Sequence, residues 1–309
     1  MKNKPRDKFY CGVRKEIIKM RIPKLNRKNF ELLKYWISER YKIHLKKDIQ
    51  KLSPPWTKDE ILQKYRFTNV RREHDKETKW LIKNICLNQK LTYENKILNT
   101  ILFRLFNKSS TVEEIGLINF DREFSFKKMN KNKIYFSNAF FTSGPKTTAN
   151  KLFPNEKNMT NKIIKLVYYH KKLKIADRIK SSENQKQVFD NLLSMPGIGK
   201  FLAYQIFVDL TYMEEFLFSE NEFTIAGPGC IKGLKLIFDD FDKMNYEEAL
   251  FWLRDNQNLF NFNNLFQDLE EYDKKINVMS LENCMCEISK YIRACNGKGR
   301  LRAKYVIKW

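Results

Sequence analysis

The sequence predicts a mostly α-helical, all-α protein, and three observations support that prediction. Apolar residues recur with a period near 3.6 in most segments of the 309-residue chain, as helices with one buried face require. Glycine and proline, which interrupt helices, number only 10 and 8. The alternation typical of strands is sparse, and its best example is residues 133–141. Apolar residues make up 42% of the chain, which is enough to fill a core, so extensive disorder is not expected.

The predicted helices follow one another along the chain with few breaks. The first, at 29–47, places Phe30, Leu33 and Ile37 on one stripe. Further helices are predicted at 69–89, 93–107, 162–180 (ambiguous in its first half), 183–195, 200–213, 245–256 and 280–299. Two segments, 52–56 and 142–161, have the composition of loops or linkers. We therefore expect an N-terminal helical extension at 1–60 and one helical domain at 61–309 that contains a helical hairpin at 183–213 and ends in a basic tail.

The charge of the chain indicates a polyanionic partner. Lysine and arginine number 59 against 36 acids, a formal net charge of +23. Such an excess favours DNA or RNA first and a membrane surface second. The coding bias of an AT-rich genome would also enrich lysine, so the charge alone does not decide the matter.

Several protein classes are disfavoured by the same composition. No run approaches 18 apolar residues and the N-terminus lacks an apolar core, so we expect neither a transmembrane helix nor a secretory signal. The six cysteines are scattered among helical patterns and histidines number three, so we expect reduced cysteines, no metal site and no cofactor. A cytoplasmic protein without an obligatory protein partner is the resulting expectation.

Residues 194–210, SMPGIGKFLAYQIFVDL, contain a glycine turn between two predicted helices. Gly197 and Gly199 leave backbone N–H groups uncovered where a helix begins, and that position attracts phosphate. Lys200 adds a full positive charge, and Ile198 is expected to point inward. The pattern fits the helix-hairpin-helix consensus L-P-G-(V/I)-G-x-x-x-A through Ala203, and an ordinary αα-hairpin is the alternative. A phosphate contact of this kind positions a protein on DNA without reading the base sequence.

A second glycine pair lies in AGPGCIKGL, residues 226–234. Gly227 and Gly229 come directly before a predicted helix that carries Lys232, which suggests a second anion-binding turn. The spacing is too short for a P-loop, which requires G-x-x-x-x-G-K-(S/T). A tight turn between helices, with no ligand, is the alternative.

Two polar helical faces are further candidates. In residues 66–80, Asn69 and Arg72 fall on one face of the predicted helix and Arg71 and Asp75 on the other, where an Arg71–Asp75 ion pair is the simpler interpretation.

In residues 281–305, Asn283, Glu287 and Lys290 lie opposite the apolar face, with Tyr291 beside them. A solvated helical face is the alternative there. The tail GKGRLRAKY follows, and its Arg300 and Arg302 suit phosphates.

Together these segments resemble the α-glutamyl/putrescinyl thymine pyrophosphorylase family, also described as the helical domain found with 5-hydroxymethyluracil DNA kinases. The resemblance covers most of residues 60–305 and rests on FTNVRREHDK, LFRLFN, PGIGKFLAYQIFVDLTY, AGPGCIKGL and LENCMCEISKYIR. It implies a fold like that of the helix-hairpin-helix DNA glycosylases, used on modified bases in double-stranded DNA, largely of phages. The chain departs from the glycosylases at residues 223–238, which lack their catalytic aspartate, and at Phe201, where bifunctional members carry a lysine.

Three functions remain open on the sequence. Any chemistry on a base in a duplex requires the base to be flipped out. Excision of a hydroxymethylated or hypermodified pyrimidine, as in phage defence, is the leading hypothesis and needs a carboxylate, for which Asp75, Asp209 and Glu287 are candidates.

Transfer of an amine or amino acid to activated 5-hydroxymethyluracil is the second hypothesis. It needs cations for a leaving pyrophosphate, and Arg71, Arg72, Lys232 and Lys290 suit that role. Loss of the glycosylase aspartate favours transfer, whereas the stand-alone chain, with no kinase P-loop, favours excision. A non-catalytic DNA-binding adaptor, which needs only the hairpin and the charge, is the third hypothesis.

Overall fold

The protein is described here by a computed structural model that covers residues 23–125, 133–137, 142–240, 245–260, 266, 275–297 and 304–305. These residues form thirteen α-helices and no β-strand, which confirms the all-α prediction. The helices are α1 (Arg27–His44), α2 (Glu60–Lys64), α3 (Lys76–Leu81), α4 (Tyr93–Phe106), α5 (Ser109–Ile115), α6 (Ser143–Leu152), α7 (Met159–Lys172), α8 (Ile175–Lys180), α9 (Gln185–Leu193), α10 (Lys200–Leu210), α11 (Pro228–Ile237), α12 (Tyr246–Asp255) and α13 (Val278–Cys295). In the part of the chain so described, no helix is long and apolar enough to cross a membrane.

The chain divides into two compact units. Of the described residues, the first unit contains 23–67, those within 226–275, 281–297 and 304–305, and the second contains those within 68–225 and 276–280. The N-terminal helices share a unit with α11 because α1 is bonded to the end of that helix. Asn26 N–H donates to the Ile237 carbonyl and the Asn29 side chain donates to the Leu236 carbonyl, both at 2.8 Å. The predicted division into domains at residue 60 stays a prediction.

The second unit is built around α4, which is buried along almost its whole length. Helices α7 and α10 both pack against α4, and α9 pairs with α10. The Asn99 side chain of α4 donates to the Ile118 carbonyl and accepts from the Ile118 N–H, at 2.8 and 2.9 Å. A buried amide that satisfies both groups of one loop residue fixes the loop after α5 against the core.

The predicted helix at 69–89 is interrupted, and short polar side chains explain the interruption. Asp75 accepts from the Asn69 backbone N–H at 2.8 Å, and the Asn69 side chain donates to the His74 carbonyl at 2.9 Å. Such side-chain bonds compete with helical ones. Residues 69–71 are therefore non-helical, Arg72–His74 form a 3₁₀ turn, and α3 begins only after Asp75. The helical faces predicted for this segment are thus wrong.

The segment 142–161, predicted as a loop, contains α6. Its Pro145 lies within the first helical turn, where a missing N–H is tolerated. Of the predicted strand at 133–141, residues 134–137 are not a strand and 138–141 lie outside the described residues.

Two glycines of α11, one helical turn apart, allow α13 to approach closely. A Cβ at Gly233 would lie 2.0 Å from the Met285 carbonyl oxygen, and a Cβ at Gly229 would lie 2.3 Å from the Cys286 Sγ. Both contacts are far inside van der Waals range, so any side chain at either position forces the helices apart.

We expect Gly233→Ala to destabilise the protein by about 3 kcal/mol, because the added methyl group meets a backbone carbonyl that cannot move aside. Chemical denaturation followed by circular dichroism measures this loss. Lys232→Ala, at an exposed position of the same helix, is the matched control and should unfold as the wild-type chain does. Equal stability of the Gly233→Ala and Lys232→Ala variants would contradict the close approach.

Candidate functional site

The glycine turn joins α9 and α10, as the sequence predicts. Gly197 has a φ of +81°, a conformation that side-chain-bearing residues rarely adopt. A Cβ at Gly197 would also lie 3.2 Å from the Pro145 Cα of α6. Ile198 is buried, and its N–H donates to the Met195 carbonyl at 3.0 Å. The turn therefore depends on Gly197 for its backbone shape and on Ile198 for its attachment to the core.

Gly199 and Lys200 form the exposed side of the turn. Gly199 is the N-cap of α10, and a Cβ there would meet nothing within 4 Å. The first N–H groups of α10 have no partner within the helix and carry its positive dipole end. Lys200 is exposed beside them. An anion thus has access to this end of α10, while contact with DNA remains a prediction.

His170 of α7 fixes the turn from inside. The ring is fully buried, and its Nε2 lies 2.8 Å from the Pro196 carbonyl oxygen, to which a neutral imidazole donates. Burial lowers the pKa of His170 to about 4, against the smaller opposing effect of the Pro196 carbonyl. The histidine is therefore neutral at physiological pH and acts as a hydrogen-bond donor to the turn.

Asp209, predicted as a catalytic carboxylate, is paired with an arginine. The Arg104 Nε donates to one Asp209 oxygen at 2.7 Å, and the Arg104 Nη2 donates to the other. Both residues are buried, with 5% and 1% exposure. A bidentate contact of this kind occupies both carboxylate oxygens. The sequence carried a hint of the arginine, a single charge inside the apolar run LFRLFN.

The loop at 69–75 carries three other predicted residues. Asn69, Arg71 and Arg72 are all buried. The Arg72 guanidinium donates to the Gln205 Oε1 of α10 at 2.5 Å, and Arg71 lies 3.5 Å from a Glu73 oxygen.

Asp75 accepts from the Asn69 N–H and from the Asn69 side chain, so its carboxylate holds the loop together. Nearby, burial raises the pKa of Tyr212 well above its ordinary value, and Glu73 and Glu220 act in the same direction. The loop and α10 thus enclose a buried polar cluster in the second unit.

The first unit contains the second glycine turn, and its N–H groups already have acceptors. Gly227 N–H donates to the Glu282 Oε1 at 3.2 Å, and Ala226 N–H donates to the Glu247 Oε1 at 3.0 Å. Gly229 faces Cys286 of α13. This differs from the uncovered anion-binding turn expected from the sequence, because two carboxylates stand where an anion would bind. Lys232 is exposed on α11.

Helix α13 brings together the other predicted residues of the first unit. Glu287 is buried, and its Oε1 lies 2.5 Å from the Lys290 Nζ. Burial alone would lower the pKa of Lys290, but Glu287 raises it above its ordinary value. Asn283 is half-buried on the same helix.

Tyr291 is buried, and its hydroxyl donates to Asp59 at 2.5 Å, so it is part of the core contact with the α2 region. Arg300 and Arg302 lie outside the described residues. Among the residues that are described, no three metal-binding side chains are grouped as a metal site would need.

The described residues thus form an all-α protein with an exposed glycine turn at the N-terminus of α10. A family model for the 5-hmdU DNA kinase helical domain matches residues 27–300 of this chain. The chain therefore belongs to the family of the 5-hmdU DNA kinase helical domain.

One curated relative is the protein named 5-hmdU DNA kinase of Bacillus phage SP10. It is 27% identical over 275 residues, which cover 82% of this chain and 43% of the relative. The chain thus spans less than half the length of that relative. No solved structure matches the chain.

We expect Asp209→Ala to lower the free energy of unfolding by about 3–5 kcal/mol, because it leaves the Arg104 charge buried without its carboxylate. Urea denaturation measures the loss. The double variant Arg104→Met/Asp209→Leu removes both charges and should recover most of the stability. A single variant as stable as the wild-type chain would show that the pair has no structural role.

We expect His170 to make the protein sensitive to acid. Its pKa is about 4 when folded and about 6.5 when unfolded, so its contribution is complete above pH 6.5 and is lost as the pH falls toward 4. The loss is on the order of 3 kcal/mol. His170→Gln, which keeps a side-chain N–H but does not titrate, should show a flatter stability profile between pH 7 and 4. Parallel profiles of the two proteins would contradict this assignment.

Proposed function

We propose that the chain acts on 5-hydroxymethyluracil in DNA as a transferase, replacing an activated 5-hydroxymethyl oxygen with the nitrogen of an amine or amino acid. The observation that carries the proposal is the family match over residues 27–300, because that family is described as the helical domain of 5-hmdU DNA kinase and a relative 27% identical to this chain bears that name. Phosphorylation turns a 5-hydroxymethyl group into one with a good leaving group. A helical domain that accompanies such a kinase is well suited to use the product.

The proposed reaction forms one bond and breaks one. The amine nitrogen attacks the methylene carbon attached to C5 of uracil, and a C–N bond forms. The C–O bond breaks, and its electron pair leaves with the phosphate or pyrophosphate. The amine loses a proton to a base, and cations stabilise the leaving group. Lys232, exposed on α11, suits that cationic role. Lys290 is charged too, since Glu287 raises its pKa, but it shares that charge with the Glu287 carboxylate.

The carboxylates favour transfer over excision. Excision needs a carboxylate that can stabilise a sugar cation or activate water. Asp209 is held by Arg104, Asp75 by Asn69, and Glu287 by Lys290. Each candidate is thus engaged in holding the fold or in a close ion pair. Excision, which leads on the sequence alone, is therefore the second candidate, and a non-catalytic adaptor is the third.

The glycine turn at 197–200 supports DNA as the substrate. Gly199 and Lys200 are exposed at the start of α10, an eleven-residue helix, and the chain carries a net charge of +23. Phosphates of a duplex would accept from the first N–H groups of the helix, as a helix-hairpin-helix contact does. The flipped base would then be handled elsewhere on the chain.

The decisive experiment supplies duplex DNA that carries 5-pyrophosphomethyluracil together with putrescine or glutamate. We expect a nucleoside whose mass equals uracil joined through its methylene to the amine, detected by mass spectrometry of digested DNA. Gly199→Asp should lower DNA affinity and product formation about tenfold, because its carboxylate repels phosphate at the end of α10.

Gly199→Ala is the matched control, since its methyl group meets no atom and adds no charge. It should behave as the wild-type chain. Alkali-labile abasic sites without a mass increase would establish excision instead, and neither product would leave the adaptor. Equal DNA affinity of the two Gly199 variants would rule out the proposed phosphate contact.

A further inference from the structure

The exposed face of α7 borders a cavity that the proposed reaction does not use. The cavity has a volume of about 220 Å³ and lies wholly in the second unit. Its lining residues combine aromatic rings with charges: Glu123, Phe124, Phe153, Lys165, Tyr168, Tyr169 and Lys172. Aromatic rings interleaved with lysines are the surface chemistry that binds unpaired nucleotides, with bases stacked on rings and phosphates on cations.

One wall of this aromatic pocket is fixed in place. The Tyr168 hydroxyl donates to the Arg122 carbonyl at 2.6 Å, and its ring centroid lies 4.9 Å from that of Phe120. Burial raises the pKa of Tyr168 still further from neutrality. The ring is thus held before any ligand arrives, which lowers the entropic cost of stacking a base on it.

The lining of the pocket carries two lysines, Lys165 and Lys172, and one carboxylate, Glu123. Lys172 is exposed at the end of α7. The Lys165 side chain is 38% exposed, and its Nζ lies 2.9 Å from the Glu156 Oε2. A phosphate that reached this opening would meet the exposed Lys172 ammonium directly. Lys165 stays paired with Glu156, whose pKa the Lys165 hydrogen bond lowers to about 2.

We propose that this pocket binds one unpaired nucleotide of DNA, its base against the rings of Tyr168 and Tyr169 and its phosphate at Lys172. This rests on the proposed function only in taking DNA as the ligand. The volume suits a single base, since pockets for drug-sized ligands span about 300–1,000 Å³. Base stacking tolerates any sequence, so the pocket would hold a strand without reading it.

The position of the pocket on α7 links it to the glycine turn. Tyr169 directly precedes His170, whose ring bonds the Pro196 carbonyl of the turn. Leu166 of the same helix lies 3.3 Å from the Cβ position of Gly197. One helix therefore supports the turn on one face and carries the pocket on another. A duplex held at the turn would therefore contact the segment that α7, the helix with the pocket, supports.

The experiment compares DNA with and without unpaired nucleotides. A duplex containing a single-stranded gap carries 2-aminopurine in the gap, and its fluorescence is quenched when the base stacks on a ring. We expect Tyr169→Ala and Lys172→Glu each to weaken binding of the gapped DNA about tenfold and Tyr169→Ala to abolish the quenching. Affinity for fully paired duplex should stay within twofold of wild type in both variants.

Lys90→Glu, at an exposed lysine outside the pocket lining, is the control for the charge change and should leave the gapped-DNA preference intact. Thermal unfolding of each variant checks that the fold is kept. If Tyr169→Ala is unstable, Lys172→Glu, at an exposed position, tests the pocket alone. Gapped-DNA affinity and quenching unchanged in both variants would overturn the pocket.

The two proposals fail separately. If the wild-type chain forms the transfer product but the Tyr169 and Lys172 variants bind gapped DNA as the wild type does, only the pocket proposal is refuted. If the chain forms no transfer product but quenches the gapped DNA in a way that depends on Tyr169, only the proposed reaction is refuted.

Discussion

The buried ion pair between Arg104 of α4 and Asp209 of α10 is the interaction on which the second unit depends. Nine of the eleven residues of α10 are buried, so its apolar surface continues around the helix. A helix of that kind has no preferred rotation from hydrophobicity alone. The bidentate pair supplies the missing direction, because only one rotation of α10 brings both carboxylate oxygens to the guanidinium. The direction of the glycine turn at the other end of α10 follows from that rotation.

Local patterns in the sequence predict the helices that no side-chain hydrogen bond interrupts. The segment 93–107 was predicted as a helix and α4 covers Tyr93–Phe106, because its period is unbroken and Thr92 caps it. The prediction was wrong where side chains replace backbone partners, as Asn69 and Asp75 do before α3. It is wrong again at α6, since Gly144 and Pro145 resemble a loop in composition but are tolerated in the first turn of a helix.

In the candidate site too, the features set by neighbouring residues could be predicted from the sequence, and the contacts between distant residues could not. Gly197 and Gly199 were found because a turn is specified by neighbouring residues. The sequence does not reveal three hydrogen-bond partners of the candidate residues, because each partner is distant along the chain. Asp209 is bonded by Arg104, 105 positions away, and Gly227 by Glu282, 55 positions away. Pro196, the neighbour of Gly197, is bonded by His170, 26 positions away. The pocket on α7 was missed for the same reason, since its walls come from three separate segments.

The glycines of α11 also limit how this sequence can change over generations. Every missense change of a glycine codon by one nucleotide introduces a residue with a Cβ. At position 229 the obstacle is the Cys286 side chain, which a smaller residue at 286 would remove. At position 233 the obstacle is the carbonyl oxygen of Met285, which no substitution can delete. Gly229 can therefore be replaced together with Cys286, whereas Gly233 cannot be replaced for as long as α11 and α13 keep this contact.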